Sequence, residues 1–217
     1  MLIDFSAIDA RKAYFWMSST ITPRPVAWVS TRSKTGVANL APFSFFQMVT
    51  ASPPTLMLSP MLHQNGSIKD TTRNIMENGE FVVNLVPFPL VDAMNATSFS
   101  YEADVSEIDR CSVATLPSER VRPPRIAGVP VSFECKLASI QAYPEQHPSC
   151  HIVLGEVLFA HVDETILDEH GQVDPARLDV VSRMGANWYG RTQTADNFTL
   201  HRPEGWARPA PKSSGAD

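Results

Sequence analysis

Hydrophobic and polar positions change period several times along the 217 residues. Residues 26–31 are small, aromatic or β-branched, and RSKTG follows with turn composition that ends at Gly36. A second run over 37–49 makes the pair a hairpin or meander. Ser52-Pro53-Pro54 interrupts the chain, TLMLS at 55–59 predicts a third strand, and 80–86 predicts a fourth. Two long β-rich runs, 131–143 and 150–162, flank PEQHPS and predict an antiparallel hairpin. Between the third and fourth strands lies SIKDTTRNIMENGEF. Ser67 and Asp70 have the spacing of a capping box, Ile68, Ile75 and Met76 share one helical face, and Gly79 ends the segment as a C-cap. Residues 87–100 and 174–184 predict two further helices, and 120–130 is a Pro-rich connection.

The strands do not alternate with helices, so an antiparallel barrel fits better than a parallel α/β sheet. The expected organisation is one domain over 1–200. A Pro/Gly/Ser-rich tail over 201–217 is expected to be mobile or to lie on a partner surface.

Composition narrows the function. A hydrophobic content of 43% suits one sizeable core, and a net charge of −5 without a basic tract argues against nucleic acid. Asp4 and Asp9 stand where a signal peptide would be basic, and no window approaches the roughly 18 apolar residues of a membrane span. Three cysteines, Cys111, Cys135 and Cys150, lack CxxC spacing. The expectation is a reduced, cytoplasmic protein away from membranes.

Charge is unevenly placed. Between Asp9 and Asp70 there is no acid, while Arg11, Lys12, Arg24, Arg32, Lys34 and Lys69 give +6 against −11 for the rest. An anionic ligand and a solvated basic face both account for this. Lys69 and Thr71 occupy the first turn of the predicted helix, where free N–H groups attract phosphate. The Asp70 carboxylate competes for the same N–H groups, so phosphate binding and plain capping both stand.

The chain has no GxGxxG, GxxxxGK, GxSxG or HExxH. His147 and His151 are four apart, but Pro148 lies between them and no metal site is expected. Cys135 reads as a small core residue. With hydrolytic and metal chemistry unsupported, an organic cofactor is the better source of any activity.

TPRPVAWVST, GVANLAPFSFF, PPTLMLS, KDTTRNI with GEFVVNLV, and the later HIVLGEV and SRMGANWYGR follow one another in order. Together they resemble the flavin reductase-like proteins with an FMN-binding split barrel. The resemblance implies a mainly β fold, a six-stranded antiparallel Greek-key barrel with short helices, and a homodimer. It implies FMN as ligand, NADH or NADPH as hydride donor, and free flavin, a monooxygenase or another electron-acceptor protein downstream. By that likeness the phosphate meets Arg24, with Pro25 beside it, together with Ser59, Lys69, Asp70 and Thr71, and Ser30 and Thr31 stand near. The flavin ring lies along Asn39, Leu40, Ala41, Pro42 and Ser44. Pro42 removes one N–H from strand pairing and so favours an edge where a ligand can approach. His151 is either a hydride-site residue or a satisfied structural histidine, and Tyr189 either closes over the ring or packs at an interface. Arg183 completes the second half's candidates. Ala186 stands where the family has a second glycine. The implied activity is hydride transfer from NAD(P)H to flavin; a carrier or oxidase with tightly held FMN, and a non-catalytic flavin-binding barrel, are the alternatives.

Overall fold

The computed structural model describes residues 1–192 and 194–200. In chain order the helices are α1 (Ala10–Thr20), α2 (Asp70–Asn78), α3 (Val91–Ala96) and α4 (Glu107–Arg110). The strands are β1 (Arg24–Pro25), β2 (Ala27–Arg32), β3 (Ala38–Phe43), β4 (Phe46–Ala51), β5 (Pro54–Leu58) and β6 (Glu80–Leu85). They continue with β7 (Thr115–Leu116), β8 (Arg125–Ile126), β9 (Val131–Tyr143), β10 (Cys150–Val162), β11 (Val181–Gly185) and β12 (Trp188–Arg191). An antiparallel seven-stranded sheet runs β3-β2-β6-β9-β10-β5-β4; β1-β11-β12 form a smaller sheet, and β7 pairs with β8.

The sheet has to curl. β3 and β4 are its two edges, yet only Ser44 and Phe45 separate them in sequence. Seven flat strands would hold those edges about 29 Å apart. The connection from Phe43 to Phe46 reaches at most about 11 Å. Closure into a barrel is the solution that satisfies both. The single predicted run over 37–49 is therefore two strands, which raises the six expected barrel strands to seven while the mainly β antiparallel class holds.

β2 explains why its sequence is apolar on both faces. Ala27 and Val29 enter a core with Leu56, Leu58, Phe81, Val83, Cys135 and Val153. Val26, just before the strand, and Trp28 enter a second core with Leu40, Val86, Met94, Ile108 and Ile126. Alternate side chains thus serve two cores, and neither face is left for water. Gly155 on β10 has a packing reason: a Cβ there would collide with the buried Phe81 ring. Asn84 inside this wall is fully partnered. Asn84 donates to the Trp28 carbonyl at 2.9 Å and accepts from Ile126 N–H at 3.1 Å and Ser132 Oγ at 2.8 Å.

Three expectations are corrected. Ser67 does not cap α2: its hydroxyl turns back to Asn65 at 2.7 Å, the helix starts at Asp70, and Lys69 is its N-cap. Ile68 consequently precedes the helix, and Met76 is half exposed, so Ile75 alone of the three enters the core. Residues 174–184 do not form a helix. Asp174 makes one turn and an ion pair with Arg177 at 3.1 Å, after which Val181 pairs with Arg191 in β12. β-branched Val180 and Val181 found strand partners, which outweighed a weak helical period. Gly79 does terminate α2, in the left-handed region at φ 70°. Helix α1, begun by Asp9 accepting the Lys12 N–H at 2.8 Å, has no counterpart in the sequence reading. The tail over 201–217 lies outside the described residues. Among the described residues no helix is long and apolar enough to cross a membrane.

Candidate cofactor site

Because β3 is an edge strand, only one of its sides pairs with β2, and α2, α3 and α4 pack against it. Two clefts are lined by it, and a third adjoins them. At one end a small cleft is lined by Asn39, Ala41, His63, Lys69, Thr71 and Glu107. At the other, a cleft of about 390 Å³ has Pro42, Phe43 and Ser44 on one side and Arg183 and Tyr189 on the other. An open trough of about 680 Å³ along residues 95–101 touches both, and Ser98 lines all three. From Asn39 to Ser44 extended chain covers about 16 Å.

The first end gathers hydrogen-bond donors around the start of α2. No side chain caps α2, and the Asp70 carboxylate pairs with Arg73 instead of folding over the helix start. That resolves the competition left open by the sequence: the first-turn N–H groups are not taken by Asp70. Thr71 Oγ1 accepts from Asn39 Nδ2 at 2.9 Å, which leaves its proton to be donated elsewhere. Thr72 Oγ1, in the same turn, is buried without a partner. No carboxylate of the described residues lies within ion-pair distance of Lys69. Two carboxyls, Asp70 and Glu107, line this end beside Lys69. The Glu107 carboxylate accepts the Leu40 N–H at 3.0 Å. Burial pushes its pKa up, the Leu40 and Glu107 N–H groups pull it down, and Asp70 adds to the upward push, which prevails.

The other nominated residues are distributed as follows. Ser30 and Thr31 are fully buried: Ser30 Oγ donates to the Pro124 carbonyl at 2.5 Å, and Thr31 Oγ1 accepts from Asn74 at 3.0 Å. Both stand behind the cleft wall. Leu40 points into the second core and offers only backbone to the cleft side. Ser59 lines none of the three clefts, and its N–H bonds the Phe45 carbonyl at 2.8 Å. Pro25 is exposed in β1 opposite Ser182.

Arg24 is nearly buried, and its guanidinium donates to the carbonyls of Ser18 at 2.5 Å and Ile21 at 2.6 Å. It reaches Ser44 Oγ at 3.4 Å, near the ring end of the groove, and ties β1 to the end of α1. His151 is buried on β10, its Nδ1 has no partner, and it lines none of the clefts. Tyr189 lies against the Arg183 guanidinium, 4.5 Å from ring centroid to Cζ.

The structure therefore brings Asn39, Ala41, Lys69, Asp70 and Thr71 to one end and Pro42, Ser44 and Tyr189 to the other. It adds His63, Asn95, Ser98, Tyr101 and Glu107, none of which the sequence reading nominated. The polar stretch Asn95-Ala96-Thr97-Ser98 was legible as a helix end but carried no sign that it faces β3.

Comparison with known proteins agrees with this architecture. The flavin reductase like domain matches residues 17–177. An uncharacterized protein of Aquifex aeolicus is 36% identical over 182 residues, 83% of this chain and 90% of that protein. Nitrilotriacetate monooxygenase component B from Bacillus cereus superposes with a TM-score of 0.86 at 31% identity, covering 92% of this chain and 98% of that one. The 2-nitrobenzoate 2-nitroreductase of Pseudomonas fluorescens gives 0.84 at 27% identity, covering 97% and 100%. With a curled barrel, a groove along its edge strand and a domain match over most of its length, the chain belongs to the flavin reductase-like family.

Proposed function

We propose that this protein binds FMN along β3 and uses it as an NAD(P)H-dependent oxidoreductase. The observation that carries the reading is the groove's polarity. One end has an uncapped helix start, Lys69 and the Thr71 hydroxyl, all suited to a phosphate. The other is a wider cleft between the Pro42-Phe43-Ser44 backbone and the Tyr189 ring, suited to a planar heterocycle. When bound, the flavin supplies two-electron redox chemistry, taking hydride from NADH or NADPH and passing electrons to an acceptor.

The chain's own residues bind and orient. Lys69 neutralises phosphate charge, and Asn39 fixes the Thr71 hydroxyl by donating to its oxygen. The Pro42–Ser44 edge presents carbonyls and N–H groups that β2 does not use, and Tyr189 shields the cleft from water. No side-chain acid or base is required, in line with an NAD(P)H reaction driven by the cofactor. The monooxygenase component among the structural relatives supports reduced flavin or its electrons going to a second protein. A homodimer is supported by the exposed Met48 and Val49 on edge strand β4. Sedimentation as a monomer at micromolar concentration would remove that part.

The test is titration of flavin-stripped protein into FMN and into riboflavin, followed by fluorescence quenching. NADH and NADPH are then added anaerobically to the FMN complex. Saturable binding with FMN held more tightly than riboflavin, and bleaching by one nicotinamide nucleotide, are expected. Quenching without bleaching would reduce the protein to a flavin binder, and no quenching at micromolar protein would end the flavin assignment.

A further inference from the structure

The wider cleft contains an arginine that nothing in the flavin reading requires. Arg183 is half-buried on β11, and no carboxylate lines its cleft. Among the described residues none pairs with it or with Arg24. Arg24 is its direct cross-strand partner in β1, although like charges facing one another across a sheet destabilise it. Burial lowers the Arg24 pKa, Tyr14 opposes that, and Arg183 lowers it further, so the two guanidinium groups feel each other.

The backbone around Arg183 also points to a purpose. β11 is bulged between Arg183 and Gly185, a device that re-aims side chains beside sites. The hairpin tip places Ala186 at φ 43°, a left-handed conformation that L-residues rarely adopt. From there the Ala186 carbonyl accepts from the Arg183 guanidinium, while the Tyr189 ring lies against its flat face. Gly185, at φ 93°, lets the tip approach α1 so closely that a Cβ would lie 2.7 Å from Ser19 Cα. The tip is thus pinned, and with it the guanidinium.

We propose that Arg183 and Tyr189 select the second substrate of this site: a planar ring compound carrying a carboxylate or phosphate, with the anion on the guanidinium and the ring against Tyr189. The inference rests on the flavin reading for the word second, but its charge preference does not. Arg binds carboxylate and phosphate as a rigid fork, and a charge-assisted pair of this kind is worth roughly ten- to hundredfold in affinity. The cleft of about 390 Å³ shares Asn95 and Ser98 with the trough of about 680 Å³, and together they leave room for a molecule of one or two rings beside a flavin. Apolar walls from Tyr14 and Phe43 and the amides of Asn95 and Asn187 complete it. Two sources share the required chemistry: an aromatic acid, and the phosphate of a nicotinamide nucleotide.

The experiment is calorimetric titration of the full chain, both flavin-free and at FMN saturation set from each variant's own dissociation constant. The probes are benzoate against benzamide, and nicotinamide mononucleotide against nicotinamide riboside. Wild type is expected to prefer the anionic member of at least one pair by tenfold or more. Arg183→Gln should abolish that preference, Arg183→Lys should restore part of it, and Tyr189→Leu should weaken both members of a pair alike. Loss of the benzoate preference identifies an aromatic acid, and loss of the mononucleotide preference identifies the nucleotide phosphate. Equal affinities in wild type, or a preference that survives Arg183→Gln, overturns the proposal. Failure of FMN itself to bind would defeat the flavin reading and leave the flavin-free titrations to decide this one.

Discussion

Glu134 and Glu107 are both buried carboxyls, and the fold treats them in opposite ways. Glu134, on β9, is fully buried and accepts from Glu119 N–H at 2.8 Å, Arg120 N–H at 2.6 Å and His161 Nε2 at 2.6 Å. Burial alone would push its pKa up, but the Glu119 N–H, His161 and the Arg120 N–H together hold it below the ordinary value. Glu107 borders the cleft, has the Leu40 N–H as its principal partner, and is shifted upward. The same contrast separates Asn84, satisfied at both ends of its amide, from Thr71 at the cleft, whose Oγ1 accepts from Asn39 and keeps its proton to donate. At Glu134 and Asn84 the barrel wall completes its polar groups internally, with His151 Nδ1 on β10 the exception. The cleft side leaves polar capacity open, as a surface that binds something must.

The strongest way to break this contrast is Glu134→Ala. It would strand two N–H groups and His161, and a loss of about 3 kcal/mol is expected from denaturant unfolding at neutral pH. FMN affinity should not change while the protein is folded. The sign with pH follows from the lowered folded pKa: the stabilisation is full above the unfolded value of 4.5 and disappears as pH falls through the folded one. The acid limb of stability should therefore be shallower in the variant. Stability within 1 kcal/mol of wild type would erase the distinction between wall and cleft.

Gly155→Ala probes the wall by packing instead of charge. The added methyl meets Phe81, and a cost of about 2 kcal/mol is expected, read as a lower Tm without a change in ligand affinity. Lys69→Met acts on the other side. It should weaken FMN about tenfold and leave riboflavin and Tm alone. An equal loss for both flavins would move the phosphate away from α2.

The smallest effect is expected from Glu107→Gln, which keeps an acceptor for the Leu40 N–H and removes a negative charge beside the anion end. FMN should bind about threefold tighter at neutral pH, an effect that salt reduces. Here the folded pKa is raised, so the carboxyl's contribution is favourable below its unfolded value of 4.5 and is lost as pH rises through the folded one. Weaker FMN binding in the variant would mean that Glu107 itself holds the ligand.

Much of this was legible before any coordinates. Strand periods located β2, β5, β6, β9 and β10, and Gly79 marked the end of α2, because each depends on neighbours in sequence. The acid-free stretch from 10 to 69 admitted an anionic ligand or a solvated basic face, and the fold brings Lys69 and Thr71 into one cleft. The capping box failed because Ser67 found a closer partner in Asn65, a local competition that spacing does not rank. Residues 174–184 failed because their strand partners lie in β1 and β12, beyond any local window.

By itself the sequence determined most strands of the large sheet, the mainly β class, the family and the charge asymmetry, since these rest on short-range sterics and on which residues are present. Only the tertiary structure decided that one run of chain must break at Ser44-Phe45 to close the barrel. It also decided that Arg24 turns to the end of α1, that Glu107 enters the cleft, and that Arg183 faces Pro42 across it. Those outcomes depend on the distance between segments far apart in sequence, and closing the sheet sets that distance.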